Sequence, residues 1–310
     1  MEFKHVSVLL DETIENILTD PDGIYIDCTL GGAGHSMALG QRLTAKAILI
    51  GLDQDGDALK VASDRLQSLP CQVITVQKNF RFLGAVLDEL GIEKVTGILF
   101  DLGVSSYQLD NGERGFSYQQ DGPLDMRMDQ RQKLSAYVVV NSYSEEELYR
   151  IIREYGEEKW AKRIAAFIVA ERKIKPVETT EELVRVIKKA VPAGARRDGP
   201  HPAKRTFQAI RIAVNQELTI LEETFTTAAD RLAPGGRLCI ITFHSLEDRI
   251  AKQTIRRLAT NCICSPDLPV CRCDHHATVK GRNKPIEPGS AELEMNPRSR
   301  SARLRVAEKL

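Results

Sequence analysis

Apolar positions along the chain follow two rhythms that take turns. Short, nearly continuous apolar runs at 24–26, 47–52, 71–76, 96–102 and 237–243 predict strands buried on both faces. Stretches of helical period lie between them. These are 7–18 with Ser7 as N-cap, a helix from the glycines at 31–34 through about Leu43, then 58–69, 83–90 and 246–258. Such alternation predicts a mostly parallel, doubly wound α/β sheet. Between 134 and 205 the rhythm stops and helices follow one another without a strand: 145–155, opened by a Ser144/Glu147 capping box, then 157–173 and 180–191. The chain therefore divides into an α/β core of 1–133 and 206–310 and an inserted all-helical subdomain of 134–205. On the return, 206–232 reads as one long amphipathic helix, Pro234-Gly235-Gly236 as a tight turn and 304–308 as a last edge strand.

The candidate chemistry starts at the first strand. It ends in Asp27 and enters a turn containing Gly31, Gly32 and Gly34, a strand–turn–helix arrangement whose backbone N–H groups can face a ligand. Counted from Gly32, the dinucleotide spacing G-x-G-x-x-G requires glycine where this chain has Met37, which disfavours a nicotinamide dehydrogenase. The turn resembles instead the looser glycine turn of S-adenosylmethionine-dependent methyltransferases, whose ligand carries no phosphate. The second strand ends in Asp53, nineteen residues after Gly34, where a carboxylate can accept both ribose hydroxyls of a nucleoside. The third leads to Asn79-Phe80, whose ring can stack on an adenine or join the core. The fourth delivers Asp101 to the same carboxyl edge, the position for chemistry, unless it merely caps the next turn. His244, at the tip of the fifth strand, is the second candidate, as proton acceptor, base-positioning group or plain turn residue.

Bulk composition narrows the class more than the function. A chain of 310 residues buries a sizeable core, and 43 basic residues balance 43 acidic ones, so net charge names no partner. No run of about 18 apolar residues suggests a membrane span, and the first residues lack the apolar stretch of a secretory signal. Seven cysteines without an export signal are expected to be reduced thiols. A cytoplasmic enzyme is the expectation.

Together, HVSVLLDE, DCTLGGAGHS, GLDQD, ILFDLGVSS, GFSYQQDGPLDMRMD, HPAKRTFQAIRIAVNQEL, PGGRLCIITFHSLEDR and NPRSRSARLR resemble the signature blocks of the bacterial RsmH (MraW) family. They span nearly the whole chain. The resemblance implies a Rossmann-like core with a helical insertion for substrate recognition and S-adenosyl-L-methionine as cofactor. It also implies N4-methylation of a cytidine in the decoding region of 16S ribosomal RNA. Matched position by position, the implied cofactor contacts are Ala33, Gly34, His35, Asp53, Phe80, Asp101 and Gln108, with Ala33 standing where relatives often carry glycine. Many amino-methyltransferases place an Asp/Asn-Pro-Pro-aromatic motif after the fourth strand, whereas this chain reads Asp101-Leu102-Gly103-Val104. Asp101 is accordingly the first catalytic candidate and His244 the second.

Arg196, Arg197, Lys204, Arg205 and Arg211 lie within sixteen residues that contain one acid, Asp198. Residues 280–310 carry eight Lys and Arg against four Glu. On composition alone these are solvated faces; with the resemblance they fit an RNA backbone, Lys204 and Arg205 among the substrate contacts. The aperiodic stretch 111–129 is expected to be a long loop near the site, where Phe116, with Tyr118 and Met126, holds an unstacked base. Cys262-x-Cys264 and Cys271-x-Cys273 precede His275 and His276, but C-x-C is tighter than the usual knuckle, so spacing leaves zinc open and no metal ligand is assigned. Two rivals remain: a methyltransferase of DNA or a small molecule, and a non-catalytic ribosome-assembly or RNA-binding protein that keeps the fold. The intact set of Asp27, Asp53 and Asp101 argues against the second.

Overall fold

The computed structural model describes residues 7–197, 201–265, 268, 270–282 and 284–310. His5 and Val6 of the first motif block, Asp198 of the basic stretch, and Pro266, Asp267 and Pro269 between the cysteine pairs lie outside the described residues. The chain forms two units, Met1–Gly103 with Leu218–Leu310, and Val104–Glu217.

The first unit is built on seven strands: β1 (Ile24–Asp27), β2 (Ile48–Asp53), β3 (Gln72–Gln77), β4 (Val95–Asp101), β5 (Leu232–Thr242), β6 (Val279–Gly281) and β7 (Arg303–Lys309). Their order is β3-β2-β1-β4-β5-β7-β6, parallel through β5 and antiparallel for β7 and β6. Successive residues turn to opposite faces, and both faces are buried. Tyr25, Leu49, Leu99 and Ile241 pack against Ile14 and Ile17 of the helix Leu10–Ile17. Ile26, Ile50, Phe100 and Ile240 pack against Phe225 and Ile255, from the helices Leu221–Arg231 and Ser245–Leu258. That double burial is why the strands read as unbroken apolar runs. The winding reverses between β1 and β4, which opens a crevice at their carboxyl ends.

Four details depart from the sequence pattern. The first helix begins at Leu10, because Leu9 adopts φ 53° and donates its N–H to Glu292 Oε1 at 2.8 Å, which relieves Ser7 of the capping role. The expected long helix is two, Lys204–Asn215 and Leu221–Arg231, broken where Gln216 takes φ 54°. Pro234-Gly235-Gly236 lies inside β5 rather than before it, with Gly235 at φ 78° and the register slipping between Val95 and Gly97. The last strand is not an edge, since β6 pairs outside it.

The helical unit is larger than the expected 134–205. Its helices include Ala136–Ser142, Glu145–Glu154, Ala161–Arg172, Thr180–Ala190 and Lys204–Asn215, with capping boxes at Ser144/Glu147 and Thr179/Glu182. The stretch 111–129 is part of its core and not an open loop. Phe116, Leu124, Met126 and Met128 are buried with Leu148, Ile164, Ile187 and Ile210. The irregular backbone is satisfied from within: Asn215 accepts the Met128 N–H and donates to the Met126 carbonyl, both at 2.8 Å, while Leu124 N–H donates to the Glu178 carbonyl at 2.9 Å. Phe116 is 5% exposed, so the expected role of holding an RNA base is withdrawn: its ring is already covered by protein. Tyr118 likewise stacks on His201 at 4.8 Å. Arg211 also leaves the basic stretch, held bidentate by Glu217 at 2.9 and 2.7 Å.

Among the described residues no helix is long and apolar enough to cross a membrane. Truncating Phe116 to Ala removes a buried ring and is expected to cost about 3–5 kcal/mol of stability in the helical unit. Urea denaturation followed by tyrosine and tryptophan fluorescence checks this, and an unchanged midpoint would place the ring outside the core.

Candidate active site

Three acids stand at the carboxyl ends of neighbouring strands: Asp27 on β1, which is buried, and Asp53 on β2 and Asp101 on β4, which are half-buried. Each is held by groups from the turn after β1. Asp27 accepts the Thr29 N–H at 3.1 Å and the Ser36 hydroxyl at 2.7 Å, which resist the upward push of burial on its carboxyl. Thr29 Oγ1 in turn accepts the Asp101 N–H at 2.6 Å, tying the turn to β4. Asp53 accepts the Gly31 N–H at 2.7 Å and the Asp55 N–H at 2.9 Å, one on each oxygen. Burial nevertheless lifts its carboxyl to about 6.

The turn is shaped by backbone that few side chains tolerate. Gly31 has φ 49° and Ala33 φ 60°, so the Ala33 position takes the left-handed conformation with a methyl group in place. A Cβ on Gly51 would lie 2.6 Å from Leu30 Cδ2, and glycine there lets the turn close down on β2. Helix Gly34–Gly40 follows and carries His35, 4% exposed, into the crevice.

His35 and Asp101 form the centre of the arrangement. His35 Nε2 lies 3.0 Å from the Val8 carbonyl, which can only accept, so Nε2 carries hydrogen. Nδ1 then faces Asp101 Oδ2 at 3.5 Å, an approach that is favourable when a proton sits on one of the two. Burial pushes the Asp101 carboxyl up to about 6; His35 opposes that shift, while Asp27 and Glu247 add to it. The other oxygen, Asp101 Oδ1, is buried and has no hydrogen-bond partner among the described residues. An orphaned buried acceptor is costly, on the order of 1–3 kcal/mol, and points to a donor supplied by a ligand.

The remaining expected residues fall in different places. Phe80 is half-buried after β3 and meets Phe100 edge-on with ring centres 5.6 Å apart. The loops after β2 and β3 are joined by Asn79 Nδ2 donating to Gln54 Oε1 at 2.7 Å. His244 caps the helix Ser245–Leu258: its Nδ1 accepts the Glu247 N–H at 3.4 Å and its Nε2 lies 3.1 Å from Glu247 Oε1. Glu247 Oε2 also takes the Phe243 N–H at 2.8 Å, so one buried acid fixes the tip of β5. Gln108 belongs to the helical unit, where its Oε1 accepts the Ser105 N–H at 3.1 Å. Lys204 and Arg205 lie on the surface of that unit, with Arg205 Nη1 donating to the Glu157 carbonyl at 2.8 Å. In the carboxyl-terminal basic stretch, Arg305 is buried and bidentate on Asp248 at 2.7 and 3.0 Å, and the exposed Arg303 reaches the same carboxylate at 3.2 Å.

Sequence reasoning missed Thr29, Ser36 and Glu247, which position the acids and the β5 tip. Thr29 was accessible in principle, two residues beyond the strand end, the spacing at which an aspartate accepts a backbone N–H. The contact from Val8 to His35, across 27 residues, left no local trace.

The residues fit an adenosyl ligand. Asp53 spends one lone pair on each oxygen and retains others for two ribose hydroxyls, and Asp101 offers an unpartnered oxygen. A doubly wound sheet with a glycine turn after β1 and acids at β2 and β4 defines a Rossmann-like, S-adenosylmethionine-dependent methyltransferase. The comparisons narrow this. A family model described as the MraW methylase family matches residues 2–310. A protein from Clostridioides difficile (strain 630) named ribosomal RNA small subunit methyltransferase H is 57% identical over 311 residues, covering all of both chains. One of the same name from Lachnospira eligens is 56% identical over 313 residues, all of this chain and 99% of its own. The chain belongs to the MraW methylase family. A solved rRNA methylase from Streptococcus thermophilus aligns over 97% of this chain and 93% of its own at 13% identity and a TM-score of 0.39, which adds nothing to that assignment.

A carboxylate accepts ribose hydroxyls best when ionised. Affinity for S-adenosylmethionine is expected to fall as pH drops through about 6, and Asp53→Ala to weaken binding at least tenfold, about 1.4 kcal/mol. Isothermal titration across pH 5–8 checks both, and a flat profile with unchanged affinity would remove Asp53 from the ribose site.

Proposed function

We propose that this enzyme transfers a methyl group from S-adenosylmethionine to the N4 amine of a cytidine in the decoding region of 16S ribosomal RNA, with Asp101 receiving the amine's hydrogens. One observation carries the assignment of Asp101: its half-buried carboxyl has one oxygen against His35 and the other, itself buried, without a hydrogen-bond partner among the described residues. The names of the full-length relatives support the small-subunit RNA as substrate. Exposed Arg196, Arg197 and Lys204 on the helical unit suit a phosphate backbone. An RNA of this kind would be met in the cytoplasm.

The bound cofactor supplies a methyl group already activated on a sulfonium, so the protein's task is alignment and exclusion of water. Cytosine's amine is a poor nucleophile because its lone pair is delocalised into the ring. Asp101 Oδ1, accepting an N–H, localises that pair and turns it outward. His35 holds the other oxygen and fixes the carboxyl's rotation. Asp101 also takes the proton the amine sheds, a role suited to a carboxyl raised by burial. Asp53, Phe80 and the turn around Ala33, Gly34 and His35, all of the sheet unit, would hold the adenosyl group. His244 caps the helix Ser245–Leu258 through Nδ1 and so positions the β5 tip, while its Nε2 is buried without a hydrogen-bond partner among the described residues.

The test is transfer of labelled methyl to small subunits lacking the modification, followed by nucleoside analysis. The expected product is N4-methylcytidine. Only the ionised Asp101 accepts, so kcat is expected to rise with pH through about 6. Asp101→Asn is expected to lower kcat on the order of 10²-fold or more and abolish that rise. Retained cofactor binding without any transfer would favour a non-catalytic assembly role.

A further inference from the structure

Between the helix Ser245–Leu258 and β6 the chain runs about twenty residues with no regular element among those described, long for a connection inside a packed unit. Its base is pinned. Thr278 N–H donates to the Leu258 carbonyl at 2.8 Å, Ala277 N–H to Asn261 Oδ1 at 3.1 Å, and Leu310 N–H to the Thr278 carbonyl at 3.1 Å. Further out, apolar burial does not hold it: Ile263 and Val270 are exposed. What gathers there is sulfur.

Cys262, Cys264, Cys271 and Cys273 bring their four Sγ atoms within 4.8 Å of one another, and none is in a disulfide. The separations Cys262–Cys271, Cys271–Cys273 and Cys262–Cys273 are 3.4, 3.6 and 3.7 Å. Sulfurs about 2.3 Å from a tetrahedral zinc stand about 3.8 Å apart, so the four thiols already outline that tetrahedron. The backbone treats them as acceptors in a reciprocal way. The N–H of Ile263, inside the first C-x-C pair, donates to Cys273 Sγ at 3.4 Å. The N–H of Arg272, inside the second, donates to Cys264 Sγ at 3.3 Å. Such N–H···S bonds stabilise thiolate and orient it toward a metal. Neither His275 nor His276 is among the groups that converge there, so the donor set is sulfur only.

We propose that these four cysteines bind one zinc ion as an all-thiolate structural site. Two C-x-C pairs, each donating a backbone N–H to the other, converge on one point, and closed tetrahedral thiolate sets hold zinc without an open position for substrate. The ion ties the loop together where hydrophobic packing does not, and so braces the connection from the helix Ser245–Leu258 into the antiparallel margin β6–β7. On binding, four thiols release their protons to solvent as four Zn–S bonds form.

The full chain, expressed with zinc in the medium and purified without chelators, is to be analysed for metal by mass spectrometry. Stoichiometric zinc is expected in the wild type and none in Cys262→Ser/Cys271→Ser. Because that variant can misfold, the wild type carries a second measurement. Titration of its exposed thiols with a mercurial should release one zinc per four thiols to a chromogenic chelator. Cobalt substitution should give the intense thiolate charge-transfer and d–d bands of a tetrahedral S4 site. Absence of zinc, stoichiometric iron in its place, or zinc release that does not follow the thiols would overturn the proposal.

Discussion

Burial of three carboxyls at the strand ends is the constraint on which the site depends. A carboxylate removed from water needs donors, and here most come from the turn after β1 and the helix it opens: Thr29 and Ser36 for Asp27, Gly31 for Asp53, whose other oxygen takes the Asp55 N–H. The turn can supply them only by adopting left-handed backbone at Gly31 and Ala33 and by lying close on β2 over Gly51. Acid and turn therefore specify each other. Asp101 is the exception, since the same turn satisfies its backbone through Thr29 and leaves one side-chain oxygen without a donor among the described residues.

That exception is sustained from a distance. His35 is fixed by the carbonyl of Val8, and the segment around Val8 is itself held because Glu292 takes the Leu9 N–H. A residue near the carboxyl terminus thus helps to orient the ring that holds Asp101. At β5 a comparable economy operates, where Glu247 takes backbone N–H groups and the His244 ring together.

The helical unit follows a different logic. Its core takes in an aperiodic segment, 111–129, whose polar backbone is satisfied by the Asn215 side chain and by Glu178. A segment with no period normally stays at the surface because its N–H and C=O groups have nowhere to go. Once distant residues provide partners, its apolar side chains are free to pack, and Phe116 becomes a core ring rather than a platform for a base.

Much of this was legible in the chain. Unbroken apolar runs disclosed the doubly buried strands, Ser144 and Glu147 the start of their helix, and glycines with Asp27, Asp53 and Asp101 the edge where a ligand binds. Those signals are local, because strand burial, helix capping and strand-end acids are set by residues a few positions apart. What only the tertiary structure decided rests on contacts between distant residues. The unpartnered oxygen of Asp101, the inward turn of Arg305 onto Asp248, and the burial of Phe116 are of this kind. So is the convergence of two C-x-C pairs, whose spacing was ambiguous until folding brought four sulfurs within 4.8 Å. A sequence states which groups are available, but whether a charge, a ring or a thiol is already engaged depends on neighbours that only folding brings into reach.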